Sequence, residues 1–305
     1  MAKVRKKRLR IKWKNFIIFL IIVFLLFYGL IKGTTTIYKF LTTPKPVEIK
    51  KEEKPKTDEK DSEYKKLDYI NKQVDYFNDD YLDRYLKYKE KNPKLTNKQI
   101  VIDVNIGLDY PYYENSVKAK HLNTDYILVN KYNYLEKNYV PKNLEKISTQ
   151  YSLSGMKLVR SAKEAFEDMA SDAKKEGYNI IAMSSYRSYD YQINLYNKYV
   201  RSDGKKAADT YSGRPGYSEH QTGLAIDVYN GKYNYTNFGK TKEYLWMQKN
   251  AYKYGFILRF PENKEKETGY KYETWHYRYV GKTLAKEIYT NDITLEEYHA
   301  THNIK

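Results

Sequence analysis

The sequence predicts an α+β fold, with a small antiparallel sheet and flanking helices, preceded by a single transmembrane helix and a helical stalk. Two observations predict it. Short strand-like runs alternate with segments of helical periodicity over the C-terminal two thirds of the chain. One long apolar stretch follows a basic N-terminus, and a chain of 305 residues can hold one good-sized domain plus such extensions.

The first 98 residues predict four segments. Residues 1–14 carry eight Lys or Arg and no acid, which predicts a basic cytoplasmic head. Residues 15–37, built around the unbroken apolar run from Phe16 to Ile31, predict a transmembrane signal anchor. The Pro-, Lys- and Glu-rich residues 38–63 predict a disordered linker. Apolar side chains at helical spacing in residues 64–98 predict a helical stalk or small module.

A cleaved signal peptide is the alternative for the apolar stretch. Its apolar core would normally be shorter, and Gly33 to Ile37 match a cleavage site poorly. Because basic flanking residues stay in the cytoplasm, we expect the N-terminus there and residues 99–305 outside. The sequence therefore predicts a single-pass protein of the cell membrane whose C-terminal domain is extracytoplasmic.

Residues 99–305 predict the elements of the α+β domain. A polar segment, Glu262 to Tyr272, is predicted either to cover a substrate or to be a plain connection. The predicted elements are a strand at Gln99 to Ile106, a helix with an apolar face from Leu158 to Ala173 that Gly177 ends, strands at Ile180 to Met183, Leu224 to Val228, Phe256 to Phe260 and Thr274 to Val280, and a last helix opened by a capping box at Thr294 to Glu297.

Charge and cysteine content narrow the possible partners. The net charge of +17 suits an anionic surface such as a polymer-bearing cell wall. Nucleic acid would attract the same charge, but no recognised binding motif accompanies it, so we expect no nucleic-acid partner. With no cysteine in the chain, the fold uses neither disulfides nor thiolate metal ligands.

Two segments contain residues that can bind a metal ion. Asp227 lies in an apolar strand-like run, where a carboxylate is costly unless it is paired or bound to a metal. Gly223 permits a turn that brings His220 back beside this carboxylate. With His276 they supply the three N/O ligands typical of a catalytic zinc site. Glu273 could then remove a proton from bound water, and we expect it at the entrance of a strand or on a bulge.

Arg187 is a candidate for stabilising negative charge. It follows the predicted strand at Ile180 to Met183 and precedes a helix predicted to begin around Asp190. Functional side chains often emerge at such corners, and an arginine fork there could meet an oxyanion. A surface cation of a basic protein is the alternative.

These motifs resemble the VanY-like D-alanyl-D-alanine carboxypeptidases, zinc peptidases of the lysostaphin, D-Ala-D-Ala metallopeptidase and hedgehog-like fold group. The resemblance rests on Arg214 to Val228, Ser185 to Ser188 and Glu273 to Arg278, and it spans roughly Ile100 to Tyr298. It implies one Zn²⁺ per chain bound by His220, Asp227 and His276, Glu273 as general base and then acid, Arg187 polarising the scissile carbonyl, and Gln192 and Ser218 holding the substrate peptide.

The resemblance implies a D,D-carboxypeptidase that removes the terminal D-alanine from peptidoglycan stem peptides. An L,D-carboxypeptidase or a peptidoglycan endopeptidase of the same fold is the alternative. A serine D,D-peptidase would use Ser-x-x-Lys, and Ser154 to Lys157 have that form, but so do three other stretches, and Lys-Thr-Gly is missing. An inactive wall-binding module would have lost a ligand or the base, and all four residues are present.

Overall fold

The structure is a computed structural model, and it describes residues 62, 65, 74–232 and 234–302. The predicted head, residues 1–14, the predicted anchor, 15–37, and all of the predicted linker, 38–63, except residue 62 lie outside the described residues. The predicted single-pass membrane localisation is contradicted as far as the described residues extend: within these ranges, no helix combines the length and the apolar character that crossing a membrane requires.

The α-helices and strands of the described residues are numbered here in chain order. The helices are α1 (Leu82–Lys91), α2 (Asn97–Ile106), α3 (Arg160–Lys175), α4 (Tyr189–Asp203), α5 (Lys205–Ala208), α6 (Lys242–Asn250), α7 (Glu265–Thr268), α8 (Lys282–Asn291) and α9 (Leu295–Thr301). The strands are β1 (Val117–Lys118), β2 (Asn133–Tyr134), β3 (Leu144–Lys146), β4 (Lys157–Val159), β5 (Ile181–Ser184), β6 (Ala225–Tyr229), β7 (Phe256–Leu258) and β8 (His276–Tyr279).

A four-stranded antiparallel sheet in the order β5-β6-β8-β7 forms the centre of the domain. Strand β6 is buried on both faces, because Ala225, Ile226 and Val228 are all inaccessible to solvent. The mixed helical and sheet architecture confirms the predicted α+β class. The register sets Asp227 of β6 opposite His276 of β8 on one side and opposite Ser184 of β5 on the other. Polar residues of three neighbouring strands therefore lie side by side.

Helix α3 covers the sheet with the apolar face that the sequence predicts. Its buried side chains recur at helical spacing, and Phe166 meets Phe256 of β7 with ring centroids 6.3 Å apart. Leu158, which was assigned to this face, lies in β4 instead. The capping box at Thr294 is also confirmed: its hydroxyl accepts from the Glu297 amide while the Glu297 carboxylate accepts from the Thr294 amide.

The predicted strand at Gln99 to Ile106 is wrong, because these residues belong to helix α2. The Thr96 hydroxyl accepts a hydrogen bond from the Gln99 amide and caps the helix, and Gly107 ends it in the left-handed conformation at φ +103°. Ile100, Val101 and Val104 of α2 pack against α1. The β-branched run suggested a strand, but the two caps and the apolar face favour a helix.

Helix α1 falls within the region predicted as a stalk, residues 64–98, whereas helix α2 begins at its end and lies mostly in the predicted domain. Helix α1 ends at Lys91, directly before Asn92 and Pro93, and a proline does not continue a helix. Helix α2 contacts the C-terminal helix α9, since the Asn105 amide donates to the Ala300 carbonyl. The boundary between a module at 64–98 and a domain at 99–305 stays a prediction.

Candidate active site

Three chain segments bring His220, Asp227 and His276 together. Asp227 lies in β6 and His276 directly opposite in β8. His220 lies in a 3₁₀ turn just before β6, and Gly223 ends this turn at φ +69°. A Cβ atom at Gly223 would come within 2.9 Å of the Leu144 side chain, so both the backbone angle and the space require glycine. The turn returns the imidazole to the side of the carboxylate, as the sequence predicts.

The arrangement of the three side chains fits a zinc ion. One nitrogen or oxygen of each lies within 4.8 Å of the others, and all three residues are buried. Asp227 is 3.0 Å from His276 Nδ1 through Oδ1 and 3.3 Å from His220 Nε2 through Oδ2. His220 Nε2 is buried without a hydrogen-bond partner, which is costly unless something else binds it. Two imidazoles and a carboxylate are a donor set that zinc accepts.

The environment favours the metal-binding forms of two of these groups. Burial, together with the charge of Arg187, lowers the pKa of His220 to about 4, which keeps this imidazole neutral. Burial opposes ionisation of Asp227, but His220, His276 and Arg187 outweigh it and hold its pKa well below the usual range. His276 differs: burial lowers its pKa, but Asp227 and Glu219 raise it to about 9. A metal ion would therefore compete with a proton at His276.

Glu273 lies three residues before His276, at the entrance of β8, where the sequence predicts it. Its backbone amide donates to the Phe260 carbonyl at 3.1 Å, and its Oε2 is 3.9 Å from His276 Nδ1. Burial raises the pKa of Glu273 to about 8, with a further contribution from the Asp227 charge. A carboxyl group with such a pKa can both accept and return a proton near neutral pH.

Arg187 lies at the corner between β5 and α4, as predicted, and is held there by three hydrogen bonds. Its Nη2 donates to Asp227 Oδ2 at 2.6 Å and its Nε to the Ser184 hydroxyl at 3.0 Å. Its backbone amide donates to the His220 carbonyl. The guanidinium therefore belongs to the same polar cluster as two of the predicted ligands.

The two predicted substrate-binding residues lie in different positions. Ser218 lines the cavity above the cluster. Gln192 is buried behind the wall: its amide donates to the Gly213 carbonyl at 2.8 Å, and its Oε1 is buried without a hydrogen-bond partner. The structure thus brings Ser218 to the cavity, whereas it brings Gln192 to the loop that forms the cavity wall.

The cavity has a volume of about 720 Å³ and contains the whole cluster. Its walls are rich in aromatic side chains, namely Tyr186, Tyr191, Tyr199, Tyr211, Tyr217, Tyr235, Phe260, Tyr270, Tyr272 and Trp275. The end of the predicted polar segment, Tyr270 to Tyr272, forms part of one wall, and the Lys271 amide anchors it to the Thr210 carbonyl. This segment therefore borders the cavity.

Sequence reasoning missed a buried ion cluster beneath the site. Glu219 Oε1 accepts from Arg259 Nε at 2.7 Å and from Arg278 Nη1 at 2.9 Å, and Arg259 also binds Glu296. Burial opposes ionisation of Glu219, but the two arginines outweigh it and keep its pKa well below the usual range. The signal was present in the sequence, because Arg278 lies inside a predicted strand and a buried charge needs a partner.

The antiparallel sheet and the His/Asp/His cluster at its centre define a zinc peptidase fold. Residues 155–282 match the family model described as VanY, D-alanyl-D-alanine carboxypeptidase. The chain is 41% identical over 229 residues to the putative carboxypeptidase YodJ of Bacillus subtilis (strain 168), covering 69% of this chain and 81% of that protein. The chain belongs to the VanY family of carboxypeptidases, which are hydrolases.

The solved structures that are similar to this chain include two peptidases. The LD-carboxypeptidase LdcB shares 44% sequence identity and a TM-score of 0.54, over 57% of this chain and 85% of that one. A variant of the vancomycin resistance D,D-pentapeptidase VanY, in complex with Zn(II), shares 33% identity and a TM-score of 0.50, over 57% of this chain and 98% of that one.

Proposed function

We propose that the protein is a zinc-dependent carboxypeptidase that removes the terminal D-alanine from peptidoglycan stem peptides, with one zinc ion per chain. The observation that carries the proposal is the buried His220, Asp227 and His276 cluster with Glu273 beside it, inside a cavity large enough for a peptide end. The Zn(II) complex of the related VanY enzyme supports the choice of metal.

In the proposed mechanism, a zinc ion held by His220, Asp227 and His276 would lower the pKa of a bound water and polarise the scissile carbonyl. The other steps belong to this chain's own residues. Glu273 accepts the proton of the attacking water and then donates it to the departing amine, for which its raised pKa is suited. Arg187 lines the same cavity and can donate to the carbonyl oxygen on which negative charge develops.

The aromatic walls are proposed to exclude bulk water from the site, apart from the attacking water, and to bind the stem peptide. Excluding water strengthens the interactions between the charged groups of the site. Ser218 is proposed to contact the peptide directly, since it lines the cavity. Gln192 is proposed to act by holding the Gly213 segment of the wall in place.

The serine-peptidase alternative has little structural support. Ser154 and Lys157 are both exposed. A catalytic serine needs a base within hydrogen-bonding reach, and such a lysine loses its proton only when it is desolvated. An inactive module is also disfavoured, because the three proposed ligands and the proposed base are present and assembled.

D-alanine release should depend on zinc and be insensitive to penicillin. Because a zinc mechanism forms no acyl-enzyme serine, we expect no penicillin labelling and no inhibition, whereas a chelator should abolish release and added zinc restore it. The measurement is D-alanine released from a stem pentapeptide by the full chain with penicillin, with chelator and with neither. Activity that penicillin blocks and a chelator leaves intact would contradict the proposal.

The same assay distinguishes the possible specificities. The sequence predicts a D,D-carboxypeptidase, which shortens the pentapeptide. An L,D-carboxypeptidase, which shortens the tetrapeptide, is the second candidate, and the higher identity to LdcB than to VanY favours it. Parallel reactions on defined pentapeptide and tetrapeptide, read by mass spectrometry, assign one or both activities. Cleavage inside a cross-linked dimer would instead indicate an endopeptidase.

Lys271 is expected to contribute to substrate binding. Among the described residues, Arg187 and Lys271 are the two Lys or Arg side chains that line the cavity, and a terminal D-alanine presents a free carboxylate. Because Lys271 is exposed, we expect Lys271→Ala to raise KM by roughly 3- to 10-fold with little change in kcat. Lys249→Ala, at an exposed position of α6 outside the cavity, removes the same charge and should leave KM unchanged. Equal effects in both variants would indicate only a general loss of charge.

A further inference from the structure

We propose that Glu219 is a positioning residue that fixes the orientation of His276. Its carboxylate accepts the Nε2–H of the imidazole, so that Nδ1 faces Asp227 and the metal position. This inference rests on the proposed zinc site and adds to it a residue that is not one of the three proposed ligands.

The first observation is a pair of buried polar atoms facing each other. His276 Nε2 and Glu219 Oε2 are 3.5 Å apart, and each is buried without any other hydrogen-bond partner. Leaving both a donor and an acceptor buried and unsatisfied is costly, whereas a small approach joins them in one charge-assisted hydrogen bond. The other ring nitrogen, Nδ1, is 3.0 Å from Asp227 Oδ1. The ring therefore has an inner nitrogen, Nδ1, on the side of the proposed metal position, and an outer nitrogen, Nε2, on the side of Glu219.

The second observation is that the two ring nitrogens of His220 have exchanged roles relative to those of His276. Its Nδ1 is 2.7 Å from the Ser185 carbonyl oxygen, which can only accept, so this nitrogen donates and Nε2 is left to face Asp227. Metal-binding imidazoles almost always donate their outer N–H to a carboxylate, a backbone carbonyl or water. His220 uses the carbonyl, and Glu219 is the carboxylate in the corresponding position for His276.

The third observation is that Glu219 is itself immobilised and charged. Arg259 and Arg278 both donate to its Oε1, which leaves Oε2 directed at His276. Arg259 also binds Glu296 at 2.6 and 2.8 Å, so two arginines and two glutamates balance in a cluster that is almost inaccessible to solvent. Because each carboxylate has cationic partners, the cluster can remain ionised inside the protein.

Residues that are close in sequence supply several parts of this arrangement. Glu219 directly precedes His220 in the same 3₁₀ turn. One dipeptide therefore supplies a proposed metal ligand and the group that orients another ligand on a different strand. Arg278 lies two residues beyond His276 on β8, so the strand that carries the imidazole also carries a partner of its orienting carboxylate.

The test compares two variants of the same ion cluster by their affinity for zinc. Glu219→Gln keeps the size but removes the charge of the acceptor, and we expect zinc affinity to fall by about 10- to 100-fold in competition with a chromogenic chelator. Glu296→Gln is the matched control, because it removes one charge from the same Arg259 contact without touching His276. We expect its zinc affinity to stay within roughly threefold of the parent.

A spectroscopic measurement tests the orientation first on the unmodified full chain and then on the two variants. In zinc-loaded protein with ¹⁵N-labelled histidine, His276 should carry its proton on Nε2 and His220 on Nδ1. Glu219→Gln should weaken or exchange-broaden the Nε2–H signal of His276, and Glu296→Gln should not. This measurement decides the question even if a variant fails to fold.

The outcomes separate this inference from the proposed function. If the parent chain binds no zinc, the proposed site itself fails. If the parent binds zinc but His276 is protonated on Nδ1, or if the two variants lose affinity equally, Glu219 has no special role in positioning and the inference is overturned.

Discussion

Replacing Glu273 with glutamine is expected to lower kcat by about 10²- to 10⁴-fold while zinc content stays near one per chain. Glutamine keeps the size of the side chain but cannot accept a proton. Glu273 is not part of the three-residue cluster, and its carboxylate is 3.9 Å from His276 Nδ1, so the ligands are left in place. Its burial and its pKa of about 8 suit it to carry the proton in both directions.

The measurement pairs kcat on a stem peptide with metal analysis of the same sample. Glu262→Gln is the control, because Glu262 is exposed, lies on the adjoining polar segment and does not line the cavity. We expect it to keep kcat within about twofold, as is usual for surface substitutions. Turnover by the Glu273 variant within a few-fold of the parent would show that another residue is the base.

The parts of the fold that follow from local pattern were predicted well from the sequence. The apolar run around Ile226 and the apolar face of α3 give a strand and a helix that need no long-range information. The segment at Gln99 to Ile106 shows the limit, because β-branched residues favour a strand while Thr96 and Gly107 favour a helix. Packing against α1 decides between them, and a contact with another helix cannot be read from a local window of the sequence.

The residues of the candidate site also fall into those that the sequence predicts and those that only the structure shows. The prediction of His220, Asp227 and His276 was possible because their metal-binding side chains differ from the neighbouring residues of strand-like segments. Glu219, beside one of them, was missed because its role depends on two arginines 40 and 59 residues away in sequence. Such pairings are created by the sheet register and by the path of the chain after β7. Only the assembled structure shows which buried charges meet.

Replacing either histidine of the cluster with alanine is expected to remove zinc and activity together. Loss of one of three ligands leaves an incomplete site, so the affinity should fall by more than the roughly 10- to 100-fold typical of losing an outer contact. His276→Ala also leaves Asp227 Oδ1 and Glu219 Oε2 buried without the imidazole, which should destabilise the metal-free protein by about 1–3 kcal/mol. Metal analysis, D-alanine release and denaturant unfolding measure the three effects.

His302→Ala is the matched control for the loss of an imidazole. His302 lies just beyond α9, and its Nε2 contacts Glu287 at 3.0 Å, outside the cluster. This variant should keep both zinc and activity, because a partly exposed contact of this kind contributes at most about 1 kcal/mol to stability. His220→Ala removes one hydrogen bond, from its Nδ1 to the Ser185 carbonyl, because its Nε2 has no hydrogen-bond partner. Full zinc retention in both the His220 and His276 variants would refute the assignment of the metal site.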